Sequence, residues 1–330
     1  MSSPITLIEI RSLSFTGSTF INLLLGCHPR AFTLGPPKRV LDMLDNPDDQ
    51  GDRACLVHHA KCDFWPPFFK AHNPDENFFL QLANASGASH IIINNPYGGE
   101  TVNKHLDHPM IERKRIKIVR DARAVITSYL KYNPDCPPFD AITKWFITPA
   151  TRFDYDPTNP DELCAKYEDI ATDPDSFLKR ASAFTGLDYP DNACKYWEHE
   201  HHMTTGNGGP LSTINRFKGT KFAGPDSEYR EQRYQQLLQN PHRPLIDERW
   251  RDVFTPRDRF VFDLFAGHIN EHWGYERDTF PLSTVNTFLK DLASSGENLS
   301  DIAPKGTTPD NELLALLQSM TAPRAEEIMS

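Results

Sequence analysis

"ITLIEIRSLSFTGSTFINLLLG", residues 5–26, decides how the chain folds. Its first six residues are an apolar, β-branched run apart from Glu9 and Leu7, which predicts a buried strand. STFINLLLG predicts a short helix, with Ser18 or Thr19 near its start. Between strand and helix, Thr16, Gly17, Ser18 and Thr19 are small. Their backbone N–H groups and hydroxyls can converge on an anion at the positive end of the helix dipole. The same residues also suit an ordinary N-cap, so both readings stand at this point. The stretch is no Walker loop: G-x-x-x-x-G-K-[ST] is absent, and no lysine is placed to reach a β- or γ-phosphate.

Outward from it, HIIIN (90–94), IKIV (116–119) and ELCAKYED (162–169) predict three further strands. Helices are predicted in KRVLDMLD after Gly35-Pro36-Pro37, in ARAVITSYLK after Asp121, and from Asp173 to Phe184 with Gly186 as an αL cap. Thr255-Pro256-Arg257-Asp258 opens another that runs to about Trp273. Residues 203–228, rich in Gly, Thr, Ser and Pro, read as a long loop. Strands alternating with helices predict an α/β fold, a central parallel sheet flanked by helices. Residues 1–276 read as one domain. The pattern fades over 277–330, a C-terminal extension in which ELLALLQSM makes a small amphipathic helix at most.

The net charge of 35 − 45 = −10 speaks against nucleic acid or an anionic membrane as partner, so an anionic ligand needs a local basic site. The six cysteines show no disulfide rhythm, and the N-terminus reads as a strand rather than a signal peptide. No apolar run is long enough to span a bilayer. A soluble, cytoplasmic protein is expected. Oligomeric state is not legible.

A second anion site is suggested by IKIVRDARAVITSYLK (116–131). Arg120 ends a strand and Ser128 lies two helical turns on, so both can reach one anion. Arg113, Lys114, Arg115, Lys117 and Arg123 make the surroundings basic. The competing reading pairs Arg120 with a carboxylate such as Asp121.

Taken together, these segments resemble the sulfotransferases that use 3′-phosphoadenosine-5′-phosphosulfate (PAPS), including bacterial and carbohydrate-type members. FTGSTF resembles their 5′-phosphosulfate loop, and VRDARAVITS their 3′-phosphate motif R-D-x-R-x-x-x-x-S. KYEDI (166–170), FTGLDYP, HHMTTGNGG and IDERWRDVFTPRD resemble later landmarks, in order, over roughly residues 5–276. The resemblance implies a P-loop-like sulfotransferase fold and transfer of a sulfuryl group to a hydroxyl or amine of a small-molecule or carbohydrate acceptor. Adenosine 3′,5′-bisphosphate (PAP) is then released, and no metal is required. It implies that Thr16, Gly17, Ser18, Thr19 and Phe20 hold the phosphosulfate and that Arg120 and Ser128 hold the 3′-phosphate. Tyr167 would lie near the adenine, and Arg216, Lys218 and Gly219 of RFKG would close over the 3′-phosphate. The alternative is a PAP- or PAPS-binding protein without transferase activity, a sensor or partner protein. An ATP-dependent kinase is disfavoured by the absent Walker lysine.

Two departures touch catalysis. Phe15 replaces the loop cation, and Pro36 of TLGPP stands where many bacterial relatives carry a glutamate base. Lys38 and Arg39, ahead of Arg11 and Lys61, are candidate replacement cations. His58 and His59 are candidate bases. CLVHHAKC (55–62) also offers Cys55, His58, His59 and Cys62 as metal ligands. Four ligands from eight residues strain a tetrahedron, and no second paired cluster is evident. The expectation is therefore reduced thiols without stoichiometric zinc. The aromatic run DFWPPFF (63–69) reads as core or as the lining of an acceptor pocket.

Overall fold

Leu7, Ile8 and Ile10 are fully buried in the strand Ile5–Ser12 (β1), as expected of a strand covered on both faces. The computed structural model describes residues 4–51, 54–95, 100–150, 153–220, 228–241 and 248–280, with positions 283, 287, 288 and 290. Ala31–Gly35 (β2), His90–Asn94 (β3), Ile111–Val119 (β4) and Glu162–Lys166 (β5) complete a five-stranded sheet in the order β2-β3-β1-β4-β5, every pair parallel. Ile8 faces Ile92 of β3, and Ile10 faces Ile116 of β4. Since β1 lies between β3 and β4, the loop after it leaves at the carboxyl edge where the strand order reverses, a place where ligands bind in open α/β sheets.

The helices used below are Ser18–Leu25 (α1), Lys38–Asp45 (α2), Ala122–Tyr132 (α3), Tyr167–Thr172 (α4), Pro174–Thr185 (α5), Gly208–Phe217 (α6) and Pro256–His272 (α7). The chain divides into two compact units. One is Met1–Val119 with Tyr155–Ile246, which holds the sheet. The other is Arg120–Asp154 with Asp247–Ser330, which holds α3 and α7.

β2 is a strand that the sequence reading did not mark. Phe32, Thr33 and Leu34 of this edge strand are buried, and a register shift near Gly35 interrupts its pairing with β3. The loop expected over 203–228 is corrected in part, because residues 208–217 form α6. The Asn207 side chain caps α6 by accepting from the Gly209 N–H at 2.9 Å, and Pro210 falls in the first turn, where proline is tolerated. Leu211 and Ile214, three apart, are fully buried. The strand expected over 162–169 ends at Lys166, and Tyr167 opens α4. Trp65 and Phe68 of DFWPPFF are buried among Phe32, Phe64, Phe69 and Phe78, so the core reading of that run applies to these two. No described helix is long and apolar enough to cross a membrane. ELLALLQSM and nearly all of the C-terminal extension lie outside the described residues.

α7 begins with a complete capping box. Thr255 Oγ1 accepts from the Asp258 N–H at 3.1 Å, and Asp258 Oδ2 accepts from the Thr255 N–H at 3.0 Å. Thr255→Ala is expected to destabilise the chain by about 1 kcal/mol, against little change for Thr255→Ser. Thermal melting of the two variants checks this, and equal melting temperatures would contradict it.

Candidate nucleotide-binding site

The loop after β1 holds two residues in the left-handed region, Phe15 at φ 64° and Gly17 at φ 97°. Such turns curl successive N–H groups toward one side, forming a concavity that suits an anion. Gly17 is the N-cap of α1 and supplies no side-chain cap. The first helical bonds run from the Phe20 and Ile21 N–H groups to the Gly17 carbonyl, so the N–H groups just before them precede the helical ladder.

Three other segments of the same unit build the surroundings. Asn94, ending β3, donates to Ser18 Oγ at 3.4 Å and accepts from Asn22 Nδ2 at 2.6 Å. The Asn207 N–H donates to Thr19 Oγ1 at 2.9 Å, which leaves the Thr19 hydroxyl hydrogen to point elsewhere. This contact sets the N-terminus of α6 beside the loop, a second source of positive potential. Tyr167, buried at the start of α4, lies against Gly17: a Cβ there would fall 2.4 Å from the ring. Phe20 packs edge-on against both Tyr167 and Tyr196.

In the other unit, Arg120 is buried and follows directly on Val119 of β4. Asp121 caps α3 through the Arg123 N–H at 2.9 Å. The Arg123 guanidinium grips Asp121 at 2.7 Å and Asp278 at 3.0 Å and lies 4.1 Å above the Trp250 ring. Ser128 is half-buried on α3, eight residues after Arg120. The cations expected to make this region basic are thus largely committed. Arg113 neutralises the fully buried Glu9 at 2.7 Å, Lys117 meets Glu162 at 2.6 Å, Arg115 meets Glu162 at 3.4 Å, and Lys114 donates to the Phe184 carbonyl at 2.8 Å. A basic run in the sequence becomes internal charge pairing in the fold.

The remaining candidates are held by nearby partners. Arg216 pairs with Glu231. Lys218 donates to Glu200 at 2.9 Å and lies 3.1 Å from His58 Nε2, and Gly219 adopts φ 64°. Lys38 is exposed and pairs with Asp42 at 2.6 Å, while Arg39 is half-buried. His59, in the left-handed region at φ 52°, meets Asn215 Oδ1 at 3.2 Å. The Nδ1 of His58 faces Cys55 Sγ at 3.5 Å and its Nε2 faces Glu200 at 2.6 Å. Both histidines are therefore engaged, which counts against a free base at either.

Cys55, His58 and Cys62 are joined by His202, a residue the sequence reading passed over, while His59 turns away. Hydrogen bonds with Cys62 and then Glu200 push the His58 imidazole up to about 9. Its bond to His58, above all, lowers the Glu200 carboxyl to about 2. With His202 in place of His59 the four groups no longer all come from one eight-residue stretch, so the strain on which the expectation of no metal rested does not apply to this set.

No family model and no curated protein matches the sequence. Among solved structures, the chain is similar to the sulfotransferase domain of the Synechococcus PCC 7002 olefin synthase. The TM-score is 0.52 at 19% identity, covering 84% of this chain and 97% of that one. Weaker likenesses are to the sulfotransferase domain of the curacin biosynthetic pathway (TM-score 0.42, 15% identity, 72% and 99% covered) and to mouse sulfotransferase SULT7A1 complexed with PAP (TM-score 0.42, 14% identity, 78% and 81% covered). The chain thus has the P-loop-like α/β fold of sulfotransferases, as the resemblance implied.

Proposed function

We propose that the chain transfers a sulfuryl group from PAPS to a hydroxyl or amine of a small-molecule or carbohydrate acceptor and releases PAP. The observation that supports this best is the loop after the central strand of a sulfotransferase fold. Two left-handed residues and a helix start without a side-chain cap occur there, a backbone arrangement that suits an anion. Thr16, Gly17, Ser18, Thr19 and Phe20 hold the 5′-phosphosulfate in this reading. Arg120 and Ser128 take the 3′-phosphate, and Tyr167 stands beside the loop. Arg216, Lys218 and Gly219 remain candidates for closing over the nucleotide.

As the S–O bond breaks, negative charge grows on the oxygen bridging to phosphate, and preorganised donors there lower the barrier. Phe15 supplies none. The N-terminus of α6 beside Thr19 offsets part of the loss. Lys38, whose partner Asp42 is itself on the surface, is the candidate for the rest, with Arg39 beside it. A second reading, binding without transfer, is favoured by the same Phe15 and by the engagement of His58 and His59. Turnover of sulfur-labelled PAPS over phenols, aliphatic alcohols, sugars and amines separates the two. Calorimetric binding of PAP without transfer supports the second, and failure to bind PAP would reject both.

Phe15→Lys is expected to raise turnover by roughly tenfold or more while changing PAP affinity little, because the added cation acts on charge that develops in the transition state. The substitution adds no new left-handed strain, since both residues carry a Cβ. An unchanged rate would mean that the bridging oxygen is already served from another segment.

A further inference from the structure

We propose that Cys55, His58, Cys62 and His202 form a tetrahedral site for one structural zinc ion. The inference is independent of the transferase reading. The four ligand atoms all lie within 4.8 Å of one another. A tetrahedral zinc ion with usual bond lengths sets sulfur and nitrogen ligands about 3.5 Å apart. Cys55 Sγ to His58 Nδ1 and Cys62 Sγ to His202 Nδ1 are both 3.5 Å. Ordinary hydrogen bonds explain each pair alone, but not the gathering of two thiols and two imidazoles around one centre.

The outer contacts are those a zinc site needs. Glu200 Oε1 lies 2.6 Å from His58 Nε2 and 3.7 Å from His202 Nε2. The carboxylate behind His58 holds the proton on its Nε2 and turns its Nδ1 to the centre, while His202 lies beyond hydrogen-bond distance of Glu200 and is oriented by its packing. The His58 N–H points at Cys55 Sγ at 3.4 Å, a donor suited to a thiolate. The His202 ring is stacked on Phe32 and packed by Phe64, which limits its rotation. Charge also balances. Two thiolates cancel a divalent ion, and Lys218, 2.9 Å from Glu200, cancels the carboxylate.

All four ligands come from protein, and both cysteines are buried, so the site is of the closed, structural kind. Two sulfur and two nitrogen ligands around a single centre select zinc over the hard cations. The ion would clasp the 55–62 turn to the segment carrying His202. The two are already stitched by Leu56 N–H to the Met203 carbonyl and by Trp65 Nε1–H to the His202 carbonyl, each 2.8 Å. Four residues beyond Met203 lies Asn207, which touches Thr19 of the phosphate loop. Zinc would therefore stiffen the backbone that supports the loop.

The test uses the full-length chain purified without chelators. About one zinc per chain is expected by elemental analysis, retained in His59→Ala and lost in Cys62→Ser and in His202→Ala. Because those variants can misfold, the parent chain is also stripped and titrated with Co²⁺ alone. The expected result is a tetrahedral ligand-field spectrum with a thiolate-to-cobalt charge-transfer band, displaced by zinc, and a melting temperature that rises on metal addition. A parent chain without zinc and without the charge-transfer band overturns the proposal. So does zinc lost from His59→Ala but kept in His202→Ala.

Discussion

Gly17→Ala is expected to weaken PAP binding by about hundredfold, although it adds one methyl group. Two effects add. At φ 97° any residue with a Cβ is strained, at about 1–2 kcal/mol. The new carbon would also fall 2.4 Å from Cε2 and 2.5 Å from Cδ2 of Tyr167, where carbons normally rest about 3.5–4.0 Å apart. Tyr167 is buried and its ring packs against Phe20, so it has little room to retreat, and the loop must open instead. Opening disperses the N–H groups that the left-handed turn gathers. Together the effects reach about 3 kcal/mol, or about hundredfold in affinity. Calorimetry with PAP measures the loss, and thermal melting shows how much appears as stability instead. Measured against Tyr167→Ala rather than the parent, the Gly17→Ala change in Gly17→Ala/Tyr167→Ala should cost only the backbone part. Normal PAP affinity and normal melting in Gly17→Ala would mean that the loop does not hold the ligand as proposed.

Much of the scaffold was legible because its signals are local. β1 is rich in β-branched residues, Ile5, Thr6, Ile8 and Ile10, and α3, α5 and α7 carry their own caps in Asp121, Asp173, Gly186 and Thr255. β2 was not legible, because AFTLG is short and becomes a strand only by pairing with β3. α6 was hidden by the glycines that open it, and its evidence is the burial of Leu211 and Ile214 against other elements. In the candidate site, the loop was legible from its small residues and its place after a strand. The partners of its side chains were not. Asn94, Asn207 and Tyr167 lie far away in sequence, and so does His202, 140 residues from Cys62. The charged run 113–123 misled for the same reason. A sequence shows that cations are clustered, and only the fold shows that Glu9, Glu162, Asp121 and Asp278 already claim them.

That commitment sharpens what is expected of Arg120→Ala. Arg123 grips Asp121 and Asp278, so its removal tests structure; Arg120 is the proposed ligand of the 3′-phosphate. A charge-assisted hydrogen bond contributes about 1.5–3 kcal/mol, so PAP affinity should fall roughly tenfold to more than hundredfold. Adenosine 5′-phosphate, which lacks the 3′-phosphate, should lose little. Comparing two ligands on one variant matters because Arg120 is buried, and a general loosening of the fold would weaken both alike. Ser128→Ala removes only a neutral hydroxyl, for which the same comparison should show a smaller loss, of about 0.5–1.5 kcal/mol. Calorimetric titration of both nucleotides against the parent, Arg120→Ala and Ser128→Ala gives six affinities, and the difference between ligands carries the answer. Equal losses for PAP and adenosine 5′-phosphate in Arg120→Ala would remove the 3′-phosphate assignment and, with it, the reason to prefer PAPS over other nucleotides.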